Sequence, residues 1–277
     1  MRRIALALTA AALAVGAVAC GDEEPAASGG TSQTASSEPL VVGASPVPHA
    51  EILNFIRDNL AERSGLELEV KEFTDYVLPN TALIDGQLDA NYFQTPAYLA
   101  DQEKARNFKA TSIVGVHIEP LGVYSREITD LGAVPDGAQV AIPNDPTNEA
   151  RALRLLAANQ LITLNDNQST TATIRDITDN PKNLEFAEVE AAQTPRSLDD
   201  ADLAVINGNY AIEADLTPSE DALALEAAEN NPNANLLVTL PEAANDPRVK
   251  KLAGLLTSPE VKQFIDEQYK GAVLAAF

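Results

Sequence analysis

Several residue types on which enzymes and metal sites depend are scarce in this 277-residue chain. It contains one cysteine, one methionine, two histidines and no tryptophan, and 5% of its residues are aromatic. A lone cysteine cannot form a disulfide framework, and two histidines without a His-x-x-x-His pair do not make a metal-ligand cluster. The sequence also lacks a Gly-x-Ser-x-Gly elbow and a glycine-rich phosphate loop. We therefore expect no catalytic residues, no cofactor and no metal, and an enzyme is the less favoured class.

Basic residues are scarce as well. The chain has 19 lysines and arginines against 41 aspartates and glutamates, a formal net charge of −22. Proteins that bind nucleic acid need clustered Lys and Arg to pair with phosphates, so the charge argues against a nucleic-acid partner. With 45% hydrophobic residues, the length suffices for one large domain or two lobes, each with its own core.

The longest apolar run lies at the N-terminus. Residues Ile4–Val18 follow two arginines and are too few to span a bilayer comfortably, which is typical of a signal peptide covering residues 1–19. The run ends in small residues before Cys20 and resembles a bacterial lipobox, although Ala17 occupies a position where leucine is more usual. The resemblance implies lipidation of Cys20; the alternative is an ordinary signal peptide with an incidental cysteine.

Residues 20–38 have the composition of a tether. From Asp22 to Glu38 the chain is rich in Ser, Thr, Gly, Ala and acidic residues and has no large apolar side chain. Such a segment cannot bury enough surface to fold. As a flexible coil it spans on the order of 20–25 Å, enough to hold a folded body just above a membrane.

Strand and helix patterns alternate through the rest of the chain, which favours parallel sheets covered by helices. We predict an α/β protein with two lobes, each a mixed, mostly parallel sheet, and a ligand cleft between them. Lobe I comprises residues 39–124, with 236–277 returning to it, and lobe II comprises 125–235. Ligands of open α/β sheets bind beyond the carboxyl ends of the strands, and two-lobe proteins close over them by a hinge. The predicted strands are Leu40–Ala44, Leu66–Phe73, Leu88–Phe93, Thr111–Ile118, Ala138–Ile142, Leu184–Glu190, Asp202–Ile206 and Leu236–Leu240.

One strand–turn–helix stretch, QVAIPNDPTNEARALRLL, has the features of an anion site. Asp145 is a good N-cap and Pro146 suits the first helical position. Asn148 and Arg151 then share one face of the helix. The helix N-terminus and the guanidinium both favour a small carboxylate, although an ordinary helix with a solvated arginine has the same local pattern.

Four short patches, each placed after a predicted strand, contain the side chains that indicate a ligand site. Together they offer aromatic faces, one cation and several amides, which suits a free amino acid with an uncharged side chain. Arg151 would hold the carboxylate through a forked pair of hydrogen bonds, and Asn207 or Asn209 would hold the amino or carboxylate group. Aromatic rings receive sulfur well, so the side chain would lie among Tyr76, Phe93 and Tyr98. The patches are FTDY, LDANYFQTPAYL, the Arg151 helix and VINGNYA.

The same segments resemble the NlpA-type methionine-binding lipoproteins, the extracytoplasmic receptors of methionine ABC importers. The resemblance runs from about Leu40 to Phe277 and is strongest in FTDYVLPNTAL, LDANYFQTPAYL, VAIPNDPTNEARAL, NPKNLEFAEVEAAQTPRSLDDADLAVINGNYA and SPEVKQFIDEQYKGAVLAAF. It implies a type II periplasmic-binding-protein fold with methionine in the interlobe cleft. It also implies a permease and an ATPase as partners, and a monomer that is lipid-anchored on the extracytoplasmic face of the cell membrane. By motif match it implies ligand-binding positions at Tyr76, Phe93, Tyr98, Arg151, Asn207, Asn209, His117 and Asn148.

Two departures from the family pattern leave alternatives open. Thr95 stands where the family usually has histidine, and Val47 stands where glycine is commoner. The ligand could therefore be another small amino acid or a methionine-containing dipeptide, or the protein could be an adhesin or sensor with vestigial binding. Tyr98 and His117 could equally be core residues.

Overall fold

The computed structural model describes residues 38–277. The predicted signal segment, Cys20 and nearly all of the tether lie outside the described residues, so their predictions stay untested. Within residues 38–277, no helix combines the length and apolar character needed to cross a bilayer.

Strands and helices alternate along the described chain. The strands are β1 Leu40–Ala44, β2 Leu68–Glu72, β3 Ala90–Gln94, β4 Thr111–Ile118, β5 Gly122–Tyr124, β6 Gln139–Pro143, β7 Thr163–Leu164, β8 Ile177–Asp179, β9 Glu185–Val189, β10 Leu203–Ile206, β11 Ala224–Leu225, β12 Asn235–Thr239 and β13 Leu274–Ala275. The α-helices are α1 Glu51–Ile56, α2 Leu78–Ile84, α3 Pro96–Arg106, α4 Pro146–Ala158, α5 Thr194–Ser197, α6 Gly208–Glu213, α7 Pro218–Asp221, α8 Pro247–Leu256 and α9 Pro259–Tyr269.

The larger sheet has six strands in the order β13-β4-β12-β3-β1-β2. Parallel pairing is confined to β2, β1 and β3, where Val42 lies opposite Val70 and Ala90, while β12, β4 and β13 pair antiparallel. Apolar residues of α1, α8 and α9 pack with those of the sheet into its main core, and α2 and α3 contribute to a second cluster. The C-terminal tail packs on this sheet, where β13 pairs antiparallel with β4.

The smaller sheet has five strands in the order β11-β5-β10-β6-β9. Here β10, β6 and β9 are parallel, and β5 and β11 are antiparallel. One apolar cluster joins the sheet to α4, and another joins it to α5 and α6. The chain enters this sheet between β4 and β5 and leaves it between β11 and β12. The predicted α/β class with two mixed sheets is therefore confirmed, but neither sheet is mostly parallel, since two of five pairings in the larger sheet and two of four in the smaller sheet are parallel.

Helix starts follow the local sequence. Asp145, Thr95 and Ser258 each accept a backbone N–H of the first turn, and a proline takes the next position in each helix. The cap satisfies a donor that would otherwise have no partner, and proline has no N–H to lose there. Helix α4 begins at Pro146, as the Asp145-Pro146 pattern predicts.

The shortest elements were not predicted. The predicted loop Ser169–Asn183 contains β8, which forms a two-stranded sheet with β7. Strand Gly122–Tyr124 pairs in the smaller sheet, although the predicted boundary places it in lobe I. Strands of two or three residues have no measurable periodicity, so only their partners define them.

Candidate functional site

The structure brings the aromatic side chains of the first two patches together. Tyr76 follows β2, Phe93 lies in β3 and Tyr98 lies in the first turn of α3. Their ring centroids are 5.8–6.0 Å apart in every pairing, and the Tyr98 hydroxyl donates to the Tyr76 carbonyl at 2.9 Å. Phe93 and Tyr98 are buried, whereas Tyr76 is partly buried. The three rings form one wall of a cleft between the two sheets.

Thr95 lies beside these rings. Its hydroxyl accepts the Tyr98 backbone N–H at 3.4 Å and so caps α3. It also lines the cleft, so the residue that departs from the family pattern is at the site and has a structural task there. A threonine hydroxyl is smaller than an imidazole and carries no charge.

Arg151 lines the same cleft from α4. Its Nη1 donates to Asn148 Oδ1 at 3.1 Å, as the shared face predicts. Its Nε and Nη2 donate to both oxygens of Glu226, at 3.0 and 2.6 Å. Glu226 is 75 positions away along the chain. The predicted carboxylate clamp therefore already has a protein carboxylate as partner.

The pair of Arg151 and Glu226 is stable in its charged form. Burial lowers the pKa of Arg151, but the charge of Glu226 and its hydrogen bonds more than compensate and leave that pKa raised. Burial raises the pKa of Glu226, and Arg151 more than reverses this, leaving it lowered. Both directions favour the ion pair. Arg151 is 5% exposed, so little water competes for its remaining N–H groups.

Amide orientations at this side of the cleft follow from the charged groups around them. Asn148 Nδ2 donates to the carboxylate of Asp145, which only accepts, and Asn148 Oδ1 receives Arg151, which only donates. Asn207 Nδ2 then donates to the same Asn148 Oδ1 at 2.9 Å. Asn207 Oδ1 is consequently an acceptor. It is buried, and it has no hydrogen-bond partner among the described residues.

Asn209 links the two walls of the cleft. Its Oδ1 accepts the Tyr76 hydroxyl at 2.5 Å, and its buried Nδ2 has no partner among the described residues. Nearby, the Tyr210 hydroxyl donates to the Thr74 carbonyl at 3.3 Å, a second contact between the same segments. Unpartnered buried polar atoms are costly, so a donor and an acceptor left open in one cleft point to a polar ligand.

His117 is the one predicted site residue that the structure does not bring to the cleft wall. It is fully buried in β4, where Nδ1 contacts the Tyr92 hydroxyl and Nε2 contacts Glu119 Oε1 at 2.6 Å. His49, which was expected to be structural, contacts the same Glu119 oxygen at 3.3 Å and Asn235 Oδ1 at 3.0 Å. Burial lowers the pKa of His117 to about 3 and that of His49 to about 4, so both are neutral at pH 7.

Residues that the sequence analysis did not assign complete the cleft. Glu119 follows β4, Gly208 begins α6 and Asn235 begins β12, so each lies at a strand end or helix start as the assigned residues do. A Cβ on Gly208 would come within 2.8 Å of the Glu119 Cβ, which explains why glycine stands there. The lining also includes Gln94, and the space amounts to about 360 Å³ with its open mouth.

Comparisons with known proteins show the family. The sequence profile of the NlpA lipoprotein family matches residues 40–277. The chain belongs to this family.

Several relatives and solved structures are similar to this chain over most of its length. The methionine-binding lipoprotein MetQ of Bacillus subtilis is 38% identical over 260 residues, covering 92% of each chain. The D-methionine-binding lipoprotein MetQ of Escherichia coli K12 is 42% identical over 215 residues, covering 77% of this chain and 79% of its own. A nutrient-binding protein from Burkholderia cenocepacia, solved bound to methionine, superposes with a TM-score of 0.83 at 45% identity, covering 86% of this chain and all of its own. A periplasmic substrate-binding protein of an ABC transporter from Coxiella burnetii gives 0.82 at 42% identity, with 86% and 100% coverage.

Proposed function

We propose that this NlpA-family protein captures methionine in the cleft between its two sheets and delivers it to an ABC importer. The observation that carries the proposal is the composition of that cleft. A wall of three aromatic rings faces Arg151 and a set of buried amides with unpartnered atoms. The relatives named for methionine binding support the same ligand.

Each half of methionine has a matching side of the cleft. The carboxylate would take the N–H groups of Arg151 that Glu226 leaves open, together with Asn209 Nδ2. The thioether would lie among Tyr76, Phe93 and Tyr98, because sulfur is favoured near aromatic rings and the side chain carries no charge to desolvate. Asn148 acts through Arg151 and Asn207 by fixing both.

The proposed setting follows from the sequence and the family. Lipidated Cys20 would hold the protein on the extracytoplasmic face of the cell membrane, and residues 20–38 would let the body, a monomer, reach the importer's permease. The two sheets with their helices would be the two lobes that close on the ligand, as predicted for residues 39–124 with 236–277 and for residues 125–235, except that β5 belongs with the second lobe because it pairs in the smaller sheet. The expectation that the protein is not an enzyme stays a prediction.

A calorimetric titration of ligand-stripped protein with methionine, norleucine, glutamate and lysine tests the proposal. We expect methionine to bind at least about 100-fold more tightly than glutamate or lysine, whose side-chain charges would lose water without gaining a partner. Norleucine, which has the shape but not the sulfur, should bind detectably and more weakly. A panel won by a charged amino acid, or by a methionine-containing dipeptide, would contradict free methionine as the ligand.

A further inference from the structure

A buried carboxylate lines the cleft at the end of β4. Glu119 is 6% exposed and lines the same space as Arg151 and Asn207. A buried carboxylate is costly unless donors surround it. Here two neutral imidazoles converge on its Oε1, and the Asn209 backbone N–H also interacts with it. A carboxylate has about four acceptor sites, so positions remain for a further donor.

The hydrogen-bond directions around this carboxylate are consistent with a fixed anion. His117 is neutral and buried, and with the Tyr92 hydroxyl at Nδ1 its proton can lie on Nε2 and point at Glu119. Burial raises the pKa of Glu119, and His49, the Asn209 N–H and Arg151 offset part of this rise. A cation in the cleft would lower that pKa further.

We propose that Glu119, together with Asn207 Oδ1, is the ammonium-binding half of the cleft and makes a free α-amino group a requirement for the ligand. The inference rests on the proposed function and names the feature of the ligand that the cleft selects. An ammonium has three donors and matches an anion beside an unpartnered acceptor. Arg151 and Glu119 thus present opposite charges to the two charged groups of one zwitterion. His49 and His117 are positioning residues, because they act by holding Glu119.

A metal ion is the other occupant that His49, His117 and Glu119 could suggest, since their donor atoms lie within 4.8 Å of one another. The distances favour a cluster held by hydrogen bonds over a metal site. Ligand atoms on a tetrahedral metal with bonds of about 2.1 Å lie about 3.4 Å apart. His117 Nε2 and Glu119 Oε1 are 2.6 Å apart, the separation of a charge-assisted hydrogen bond.

The test compares methionine with 4-(methylthio)butanoic acid, which has the same carboxylate and thioether but no amino group. Wild-type protein should prefer methionine by at least about 30-fold, because the amine-free acid leaves Glu119 facing no donor. In Glu119→Gln, methionine affinity should fall at least about 10-fold, while affinity for the amine-free acid should stay equal or rise. Glu213→Gln, the same change on an exposed residue of α6 outside the cleft, should leave both affinities within threefold of wild type.

These measurements distinguish a missing ammonium site from an absence of methionine binding. Equal wild-type affinity for the two compounds would overturn the ammonium site while leaving methionine binding intact, and this arm does not depend on the variant folding. An unchanged preference in Glu119→Gln would overturn it as well. Wild-type protein that binds neither compound would overturn both proposals. Methionine affinity that is lost in EDTA and restored by zinc would replace the hydrogen-bonded cluster with a metal site.

Discussion

Arg151 is paired with Glu226 in the protein and is proposed to bind the ligand carboxylate as well. Its removal should therefore affect both stability and binding. The sequence predicts a carboxylate clamp that lines a cleft, so its loss would leave the fold intact. In the structure the guanidinium is buried against Glu226, a residue that local pattern could not connect to α4 because it follows β11 in a polar stretch. Truncating one partner of a buried ion pair leaves the other charge without compensation.

We expect Arg151→Ala to lose methionine affinity by at least about 30-fold, and the protein to lose roughly 3 kcal/mol of stability because Glu226 stays buried and unpaired. Arg151→Lys should recover part of both, since lysine keeps the charge without the fork. Adding Glu226→Gln to Arg151→Ala should restore stability but not binding. Calorimetry and thermal melts measure the two effects. Arg154→Ala, on the same helix but outside the cleft, is the control; equal affinity in Arg151→Ala and Arg154→Ala would contradict this role.

At the scale of single elements, α4 joins helix capping to the site. Asp145 accepts the Asn148 backbone N–H at 3.0 Å and also holds the Asn148 side chain at 3.0 and 2.9 Å. One carboxylate therefore starts the helix and fixes the amide that orients Arg151 and Asn207. Loss of the cap should affect binding as well as stability.

Asp145→Ala should cost about 1 kcal/mol of stability, as N-cap removals do, and weaken methionine binding about three- to tenfold through the released Asn148. Ser258 caps α9 by accepting the Val261 N–H at 3.3 Å, and it does not line the cleft. Ser258→Ala removes this cap. It should cost similar stability with no change in affinity. Denaturant titrations and calorimetry on both variants provide the measurements. An Asp145→Ala protein that is destabilised but binds normally would separate the cap from the site.

Elements with local signals were predictable from the sequence. The cap at Asp145 and the strands β1, β3 and β6 follow from short-range chemistry and apolar runs. Glu119, His49 and Asn235 were not assigned, because their roles depend on contacts between segments far apart in the chain. His117 was predicted to bind the ligand; the structure places it outside the cleft lining, against Tyr92 and Glu119, and an imidazole in an apolar strand does not reveal such neighbours.

At the scale of the whole molecule, the net charge, the predicted leader and the folded residues have different roles. Repulsion from the chain's net charge of −22 opposes self-association, and the proposed lipid on Cys20 would supply membrane affinity. The two-sheet arrangement places the ends of strands from both sheets around one cleft.

Cys20→Ser should release the protein from the membrane fraction into the soluble fraction, because the acylated residue would be gone while the folded body stays unchanged. Immunoblots of fractionated cells measure the distribution, and methionine binding by the released protein serves as the control for folding. Retention of the variant in membranes at the wild-type level would contradict the lipid anchor.

The most direct test of the account is a crystal structure of the protein with L-selenomethionine. The chain contains a single methionine, Met1, in the predicted leader, so protein expressed with ordinary methionine gives no competing anomalous signal. We predict one selenium peak between the rings of Tyr76, Phe93 and Tyr98, with the ligand carboxylate at Arg151. A selenium peak outside this cleft, or an empty cleft at saturating selenomethionine, would contradict the central claim.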